Sequence, residues 1–159
     1  QGFWQSKEVI LFYSRKETMQ VRLYQGSDFE KLIALYKNKA SYGGNYDENR
    51  DTPSKLEETA RVGSLYVAED SSGCIVGSFM ILDNPHTFWL IRFVLDPEAE
   101  DLLAIGGSLA KKAQEVAQER GHSSIIVYTD SDDQSLNQRY TDLGFNKADE
   151  YRCYWKGVA

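Results

Sequence analysis

After the break at Asp96-Pro97 comes a run of small residues, Ala104-Ile105-Gly106-Gly107-Ser108, the first stretch with chemical potential. A helix opening there would leave its first amides without intrahelical acceptors and turn its positive dipole end outward. Such an end holds anions, and Ala104, Gly106, Gly107 and Ser108 would let a phosphate approach the backbone. Gly106-Gly107 would equally let a helix pack tightly on a sheet, and spacing alone leaves both open. A second stretch, 41–53, sets Tyr42 and Tyr46 among Asp47, Glu48 and Asp51, with Glu57 and Glu58 following and Arg50 and Lys55 opposing them. It reads either as an acidic, aromatic lip for a cationic amine or as a solvated surface loop. Cys74 and Cys153 have neither metal nor redox spacing, and two histidines, His86 and His122, are too few for a histidine-based site. No metal is expected.

The chain of 159 residues and 18.1 kDa is long enough for one domain with a sizeable core. Hydrophobic residues make up 42%, charged ones 26% and aromatics 13%, a globular balance. The net charge of −6 argues against nucleic acid and anionic membranes as partners, since both need basic patches. No apolar run approaches the roughly 18 residues of a membrane span, and no signal-peptide pattern is present. A soluble, cytoplasmic domain is expected.

The elements alternate. Met19–Tyr24 alternates apolar and polar residues, as a half-buried strand does. Ser27, with Glu30 at capping-box spacing, predicts a helix carrying Phe29, Leu32, Ile33 and Tyr36. Ser54, with Glu57, predicts a short helix through Arg61. Ser64–Glu69 and Cys74–Leu82 flank Asp70-Ser71-Ser72-Gly73, a hairpin signal. Thr87–Leu95 is nearly all apolar, as in a strand buried on both faces. Leu102, Ile105, Leu109, Val116 and Ala117 mark a long amphipathic helix stopped by Gly121. Ser124–Tyr128 reads as another buried strand, Gln134–Leu143 as a helix closed by Gly144, and Glu150–Trp155 as a last strand. The fold class is α/β (α+β), a mixed, mostly antiparallel central sheet flanked by helices.

The start of the chain echoes its end. Gly2-Phe3, Glu8, Tyr13 and Lys16 are spaced much like Gly144-Phe145, Glu150, Tyr154 and Lys156. Residues 1–18 would then add an N-terminal strand (Glu8–Ser14), the tail of a preceding similar domain, ahead of a domain at 19–159. Chance similarity between aromatic-rich strands explains the echo equally well.

Three local patterns now line up: Val67-Ala68-Glu69-Asp70 through Gly73 to Ile75-Val76-Gly77; Phe93-Val94-Leu95-Asp96-Pro97-Glu98, then Ala104-Ile105-Gly106 and Leu109 to Glu119-Arg120-Gly121; and Asp133 through Tyr140-Thr141-Asp142-Leu143-Gly144-Phe145. In this order they resemble the GNAT superfamily of acyl-CoA-dependent N-acetyltransferases over Met19–Lys156. The resemblance implies acetyl-CoA as co-substrate. Its pantetheine arm would lie along the backbone of Phe93, Val94 and Leu95. Its pyrophosphate would lie on Ala104, Ile105, Gly106, Gly107 and Ser108. Tyr140 would be the acid that protonates the leaving thiolate; the residue types alone equally allow a core aromatic beside Leu136 and Leu143. Asp133 stands where the family often has Asn at a cofactor contact.

The phosphate loop departs from the family. Asp101 stands where the family has Gln or Arg, and Ala104 where it has Gly, with Glu98 and Glu100 beside them. Carboxylates facing a diphosphate repel it, whereas carboxylates at a helix start suit the dipole. Lys111 and Lys112 offer compensating charge further along. A base must still remove a proton from the amine, and Glu69, Asp70 and His86 do not distinguish themselves for that task.

Two functions follow from the resemblance. One is transfer of acetyl from acetyl-CoA to a primary amine of a small molecule or peptide. The other is a catalytically degenerate domain that binds acyl-CoA or serves as a structural half of a tandem protein. Either is compatible with a homodimer or a tandem arrangement.

Overall fold

A computed structural model describes residues 19–38, 46–150, 152–154 and 156–158. The extra strand expected within residues 1–18 lies outside the described residues. Among the described residues, five strands form one sheet in the order β1 (Gln20–Leu23), β2 (Leu65–Glu69), β3 (Ile75–Asn84), β4 (Thr87–Leu95), β5 (Ile126–Val127). The first three pairings are antiparallel and β4–β5 is parallel, giving the mixed, mostly antiparallel sheet expected. The parallel pair is joined by the long helix α3 (Leu102–Glu119), as a parallel connection requires. Helices α1 (Phe29–Lys37), α2 (Pro53–Arg61) and α4 (Gln134–Asp142) are the other α-helices of the described residues.

Strand alternation divides the interior into two cores. Leu65, Val67, Met80 and Val94 face Leu32, Tyr36 and Leu56 of α1 and α2. Phe79, Ile81, Phe88 and Phe93 pack with Leu109 and Val116 of α3 and with Leu136 and Tyr140 of α4. β4 is covered on both faces, which explains its nearly continuous apolar run.

Local chemistry differs from expectation at four places. Ser27 does not cap α1: a 3-10 turn, Gly26–Asp28, precedes it, and the Asp28 carboxylate accepts from the Gln25 amide at 2.8 Å. Thr52, not Ser54, caps α2, because Pro53 with its fixed φ takes the first helical position. β5 is two residues long at the sheet edge, with Ile126 37% exposed, rather than a buried strand over Ser124–Tyr128. Of Glu150–Trp155, the described residues carry no strand; Arg152, Cys153 and Tyr154 are exposed, so no burial favours pairing there.

One close approach sets the position of α3. A Cβ on Gly77 would lie 2.7 Å from Leu109 Cδ1 and 3.1 Å from Ile105 Cγ2. The missing side chain lets the first half of α3 settle directly on β3. Gly77→Ala should therefore cost about 1–3 kcal/mol by overpacking, read from urea unfolding; an unchanged midpoint would show that α3 has room to move.

Asp28 is 3% exposed and accepts from Arg22 Nη1 at 2.7 Å and Nη2 at 2.9 Å. The guanidinium, followed by the Gln25 amide, outweighs burial and holds its carboxyl below the usual aspartate range. The unfolded chain then binds a proton more readily than the folded one, so the stabilisation is full above the unfolded value and disappears as pH falls through the folded one. Urea midpoints should stay level down to about pH 5 and fall below about pH 4. Asp28→Asn should lose about 2 kcal/mol at pH 7 and shrink that acid slope.

Candidate active site

β4 and β5 pair only at Trp89–Ile126 and Leu90–Val127 among the described residues, after which β4 runs on to Leu95. The separation coincides with a bulge. Ile91 faces Met80 and Val94 faces Ser78, so Arg92 and Phe93 together oppose the single Phe79. An extra residue bends a strand and increases its twist, and Arg92 takes φ 48° to make it. From there β4 hydrogen-bonds to β3 on one side and, among the described residues, has no strand partner on its other edge, which leaves a gap in the pairing between β4 and β5.

Three elements bound that gap. Tyr140 of α4, 5% exposed, lies with its ring centroid 6.0 Å from Phe93 and 5.5 Å from Phe145. Beyond Leu95, the turn at Asp96–Asp101 leads into α3. Gly106 packs inward: a Cβ there would lie 3.3 Å from Leu143 Cδ2 and 3.5 Å from Leu95 Cδ1. Gly107 faces open space. It opens a groove of about 570 Å³ that passes Lys111 and Gln114, with Leu143, Gly144 and Phe145 on its far wall.

The N-terminus of α3 is partly occupied by its own chain. Asp101 Oδ1 accepts from the Ala104 amide at 2.9 Å. Among the described residues, the amides of Leu102 and Leu103 have no such acceptor. Lys112 is bound to Glu115 at 2.9 Å, leaving Lys111 as the cation on the groove.

The remaining candidate residues separate. Ile105, Phe93 and Leu95 share one core with Tyr140, while Val94 points into the other. Ala104 is exposed and Ser108 half-buried. The Asp133 carboxylate accepts from the Leu136 amide at 2.9 Å as the cap of α4. Asp70 closes the β2–β3 turn, accepting from Ser72 and Cys74 amides at 2.9 Å each, and Glu69 accepts from Arg22 Nε at 2.9 Å. His86 lies in the β3–β4 turn, roughly 20 Å along the strand from Phe93. None of the three faces the gap.

The acidic stretch is reordered by burial. Asp51, expected as part of a surface lip, is 3% exposed and ion-paired with Arg92, whose Nη2 donates to Oδ2 at 3.1 Å. Burial alone would raise the Asp51 carboxyl, but the Arg92 guanidinium and the Asp47 amide together hold it below the usual range. Lys37 Nζ sits 4.7 Å over the Tyr46 ring, so that aromatic face holds the chain's own cation. Tyr42 lies outside the described residues. Two structural features near the gap have little or no signal in the sequence. Asn137 pins the loop before α4, donating to Asp133 O at 2.7 Å and accepting from Thr129 Oγ1 at 3.0 Å. Arg92 was signalled only as the lone charge within Thr87–Leu95.

Residues 28–145, from the start of α1 to the end of α4, match the Acetyltransferase (GNAT) family. The chain belongs to the GNAT family. Membership makes it a domain of the acyltransferase class. No curated protein matches its sequence. Among solved structures it resembles an aminoglycoside N-acetyltransferase in complex with CoA, at 15% identity and TM-score 0.73, over 90% of this chain and 97% of that one. It also resembles the PaiA N-acetyltransferase of Thermoplasma acidophilum in complex with coenzyme A, at 19% identity and TM-score 0.70, over 84% and 93%. A third likeness is to glucosamine-6-phosphate N-acetyltransferase of Arabidopsis thaliana, at 20% identity and TM-score 0.61, over 88% and 100%. These likenesses establish the GNAT fold.

Proposed function

We propose that the chain transfers an acetyl group from acetyl-CoA to a primary amine of a small molecule or peptide. The observation that carries this reading is the gap at the Arg92 bulge. A β4 edge without a strand partner among the described residues, the N-terminus of α3 and Tyr140 converge on it. Two of the relatives in fold were solved with CoA.

The residues present fit such a ligand. A pantetheine arm carries amides, and the edge of Phe93 to Leu95 offers backbone donors and acceptors in strand register. The amides of Leu102 and Leu103 and the dipole of an 18-residue helix offer an anion site. Gly107 leaves room beside them, with Lys111 one turn further. The amine nitrogen attacks the thioester carbonyl carbon, the C–S bond breaks, and the thiolate takes the phenolic proton of Tyr140. The amine's proton leaves through water, since Glu69, Asp70 and His86 are engaged or distant. Two exposed, unpaired cysteines, Cys74 and Cys153, suit a reducing cytoplasm.

A second reading, an acyl-CoA-binding domain without turnover, is favoured by Asp101. Its carboxylate already holds the Ala104 amide and adds negative charge where a diphosphate would sit. Calorimetry with acetyl-CoA and thiol release over an amine panel separate the two readings. Binding together with thiol release supports transfer, and binding alone supports the second.

Tyr140→Phe should lower kcat about 10²-fold while acetyl-CoA still binds; full activity would remove Tyr140 from the chemistry. Asp101→Asn keeps a competent cap and removes one charge near the diphosphate. It should tighten acetyl-CoA about threefold at low salt, less at high salt. Weaker binding would show that the carboxylate helps to build the site.

A further inference from the structure

Arg92 stands where the backbone favours another residue. At φ 48° glycine is unstrained and Asn or Asp is tolerated, while a long side chain is disfavoured. Its side chain is nevertheless 8% exposed and firmly held. Both terminal nitrogens reach Asp51, and the guanidinium carbon lies 4.1 Å from the centroid of the Tyr36 ring. Burial pushes the Tyr36 phenol up to about 12, so a neutral ring faces the cation. Asp51, 2% exposed at its side chain, accepts from the Asp47 amide at 2.9 Å, with Arg50 Nε at 3.7 Å on its outer side. One guanidinium thus joins the β4 bulge, the 46–52 loop and α1.

Stability alone does not account for this arrangement. Replacing a buried ion pair by apolar residues of similar volume is often neutral or stabilising. A fork gripped in its plane by a carboxylate and on its face by a ring has a single orientation, which lysine cannot reproduce. We infer that the Asp51–Arg92 pair is a positioning device that ties the 46–52 loop to the β4 bulge and thereby fixes the backbone of Phe93 and Val94 beside the reacting thioester. The inference rests on the gap being the acyl-transfer site. Neither residue is catalytic; both act through the β4 backbone.

The test compares Asp51→Asn, Arg92→Lys, Arg92→Gly and the double variant Asp51→Leu/Arg92→Met in the full chain. Arg92→Gly relieves the φ constraint but removes the grip; the double variant removes both charges and keeps the volume. The readouts are melting temperature, acetyl-CoA affinity, kcat, amine KM and amide exchange over 46–52 and 91–95. A displacement of the order of 1 Å costs up to about 10²-fold in rate. The single variants should therefore lose at least about tenfold in kcat, with acetyl-CoA affinity within about threefold. The double variant should recover melting temperature but not kcat. Asp51→Asn should speed exchange in both segments together. Recovery of kcat in the double variant, or faster exchange at 46–52 with 91–95 unchanged, would overturn the inference. Should the wild type release no thiol with any amine, the acyl-transfer reading fails. The exchange experiment still decides whether the pair couples loop to bulge. Should a glycine or double variant not fold, Arg92→Lys, which keeps the charge and loses the fork, supplies the same comparison.

Discussion

Arg92 holds a left-handed backbone conformation inside a strand that has no exposed residue, at the point where β4 leaves its pairing with β5. A β4 without the extra residue would keep its register with β3 and its neighbour relation with β5 along its whole length. Its backbone would then be spent on sheet pairing, because buried amides and carbonyls do not stay unpaired where a partner is available. The bulge releases that edge. An interior charge is costly unless paired, so the side chain that makes the bulge must find a carboxylate. The carboxylate it finds belongs to the loop leading into α2. Strand geometry and the position of the loop are therefore one constraint and not two.

The second determinant is how closely α3 lies on the sheet. Gly77 admits Leu109 and Ile105, and Gly106 admits Leu143, so the start of α3, the end of β4 and the end of α4 meet without intervening side chains. Of the adjacent glycines, Gly106 is used for packing and Gly107 faces open space. Asp101 completes the helix start. A helix that waits empty still needs its first amides satisfied, and an N-cap contributes about 1 kcal/mol toward that. A carboxylate in this place stabilises the resting helix and opposes an incoming phosphate by the same charge.

Local structure is legible in the sequence. The hairpin at Asp70–Gly73, the span of β4, the register of α3 and the stops at Gly121 and Gly144 all follow from periodicity and turn chemistry within a dozen residues. Contacts between distant segments are not legible in it. Nothing near Asp51 announces that it will be buried, because its partner lies 41 positions away. The caps of α1 and α2 shifted because Asp28 is drawn to Arg22, and Pro53 fits the first helical turn better than Ser54 would. The apolar character of Ile125–Val127 signalled a strand but not its exposure, since burial depends on what packs beyond the sheet edge. At the gap, the elements were legible and the bulge that opens it was not, because a bulge is a mismatch between two strands and neither strand's sequence contains it alone.

A net charge of −6 looks unsuited to a polyanionic donor, yet the two act on different length scales. Exposed charges are screened beyond about 8 Å at physiological ionic strength. Backbone amides at the start of α3 and along β4 act within hydrogen-bond distance, where screening is slight. The general field therefore sets encounter, and fixed dipoles set retention. A cationic amine is drawn toward an acidic surface, whereas a CoA thioester must be held against it by groups whose orientation is built into the fold. Under the proposed acetyl transfer, that division would place the burden of donor binding on the backbone of β4 and α3.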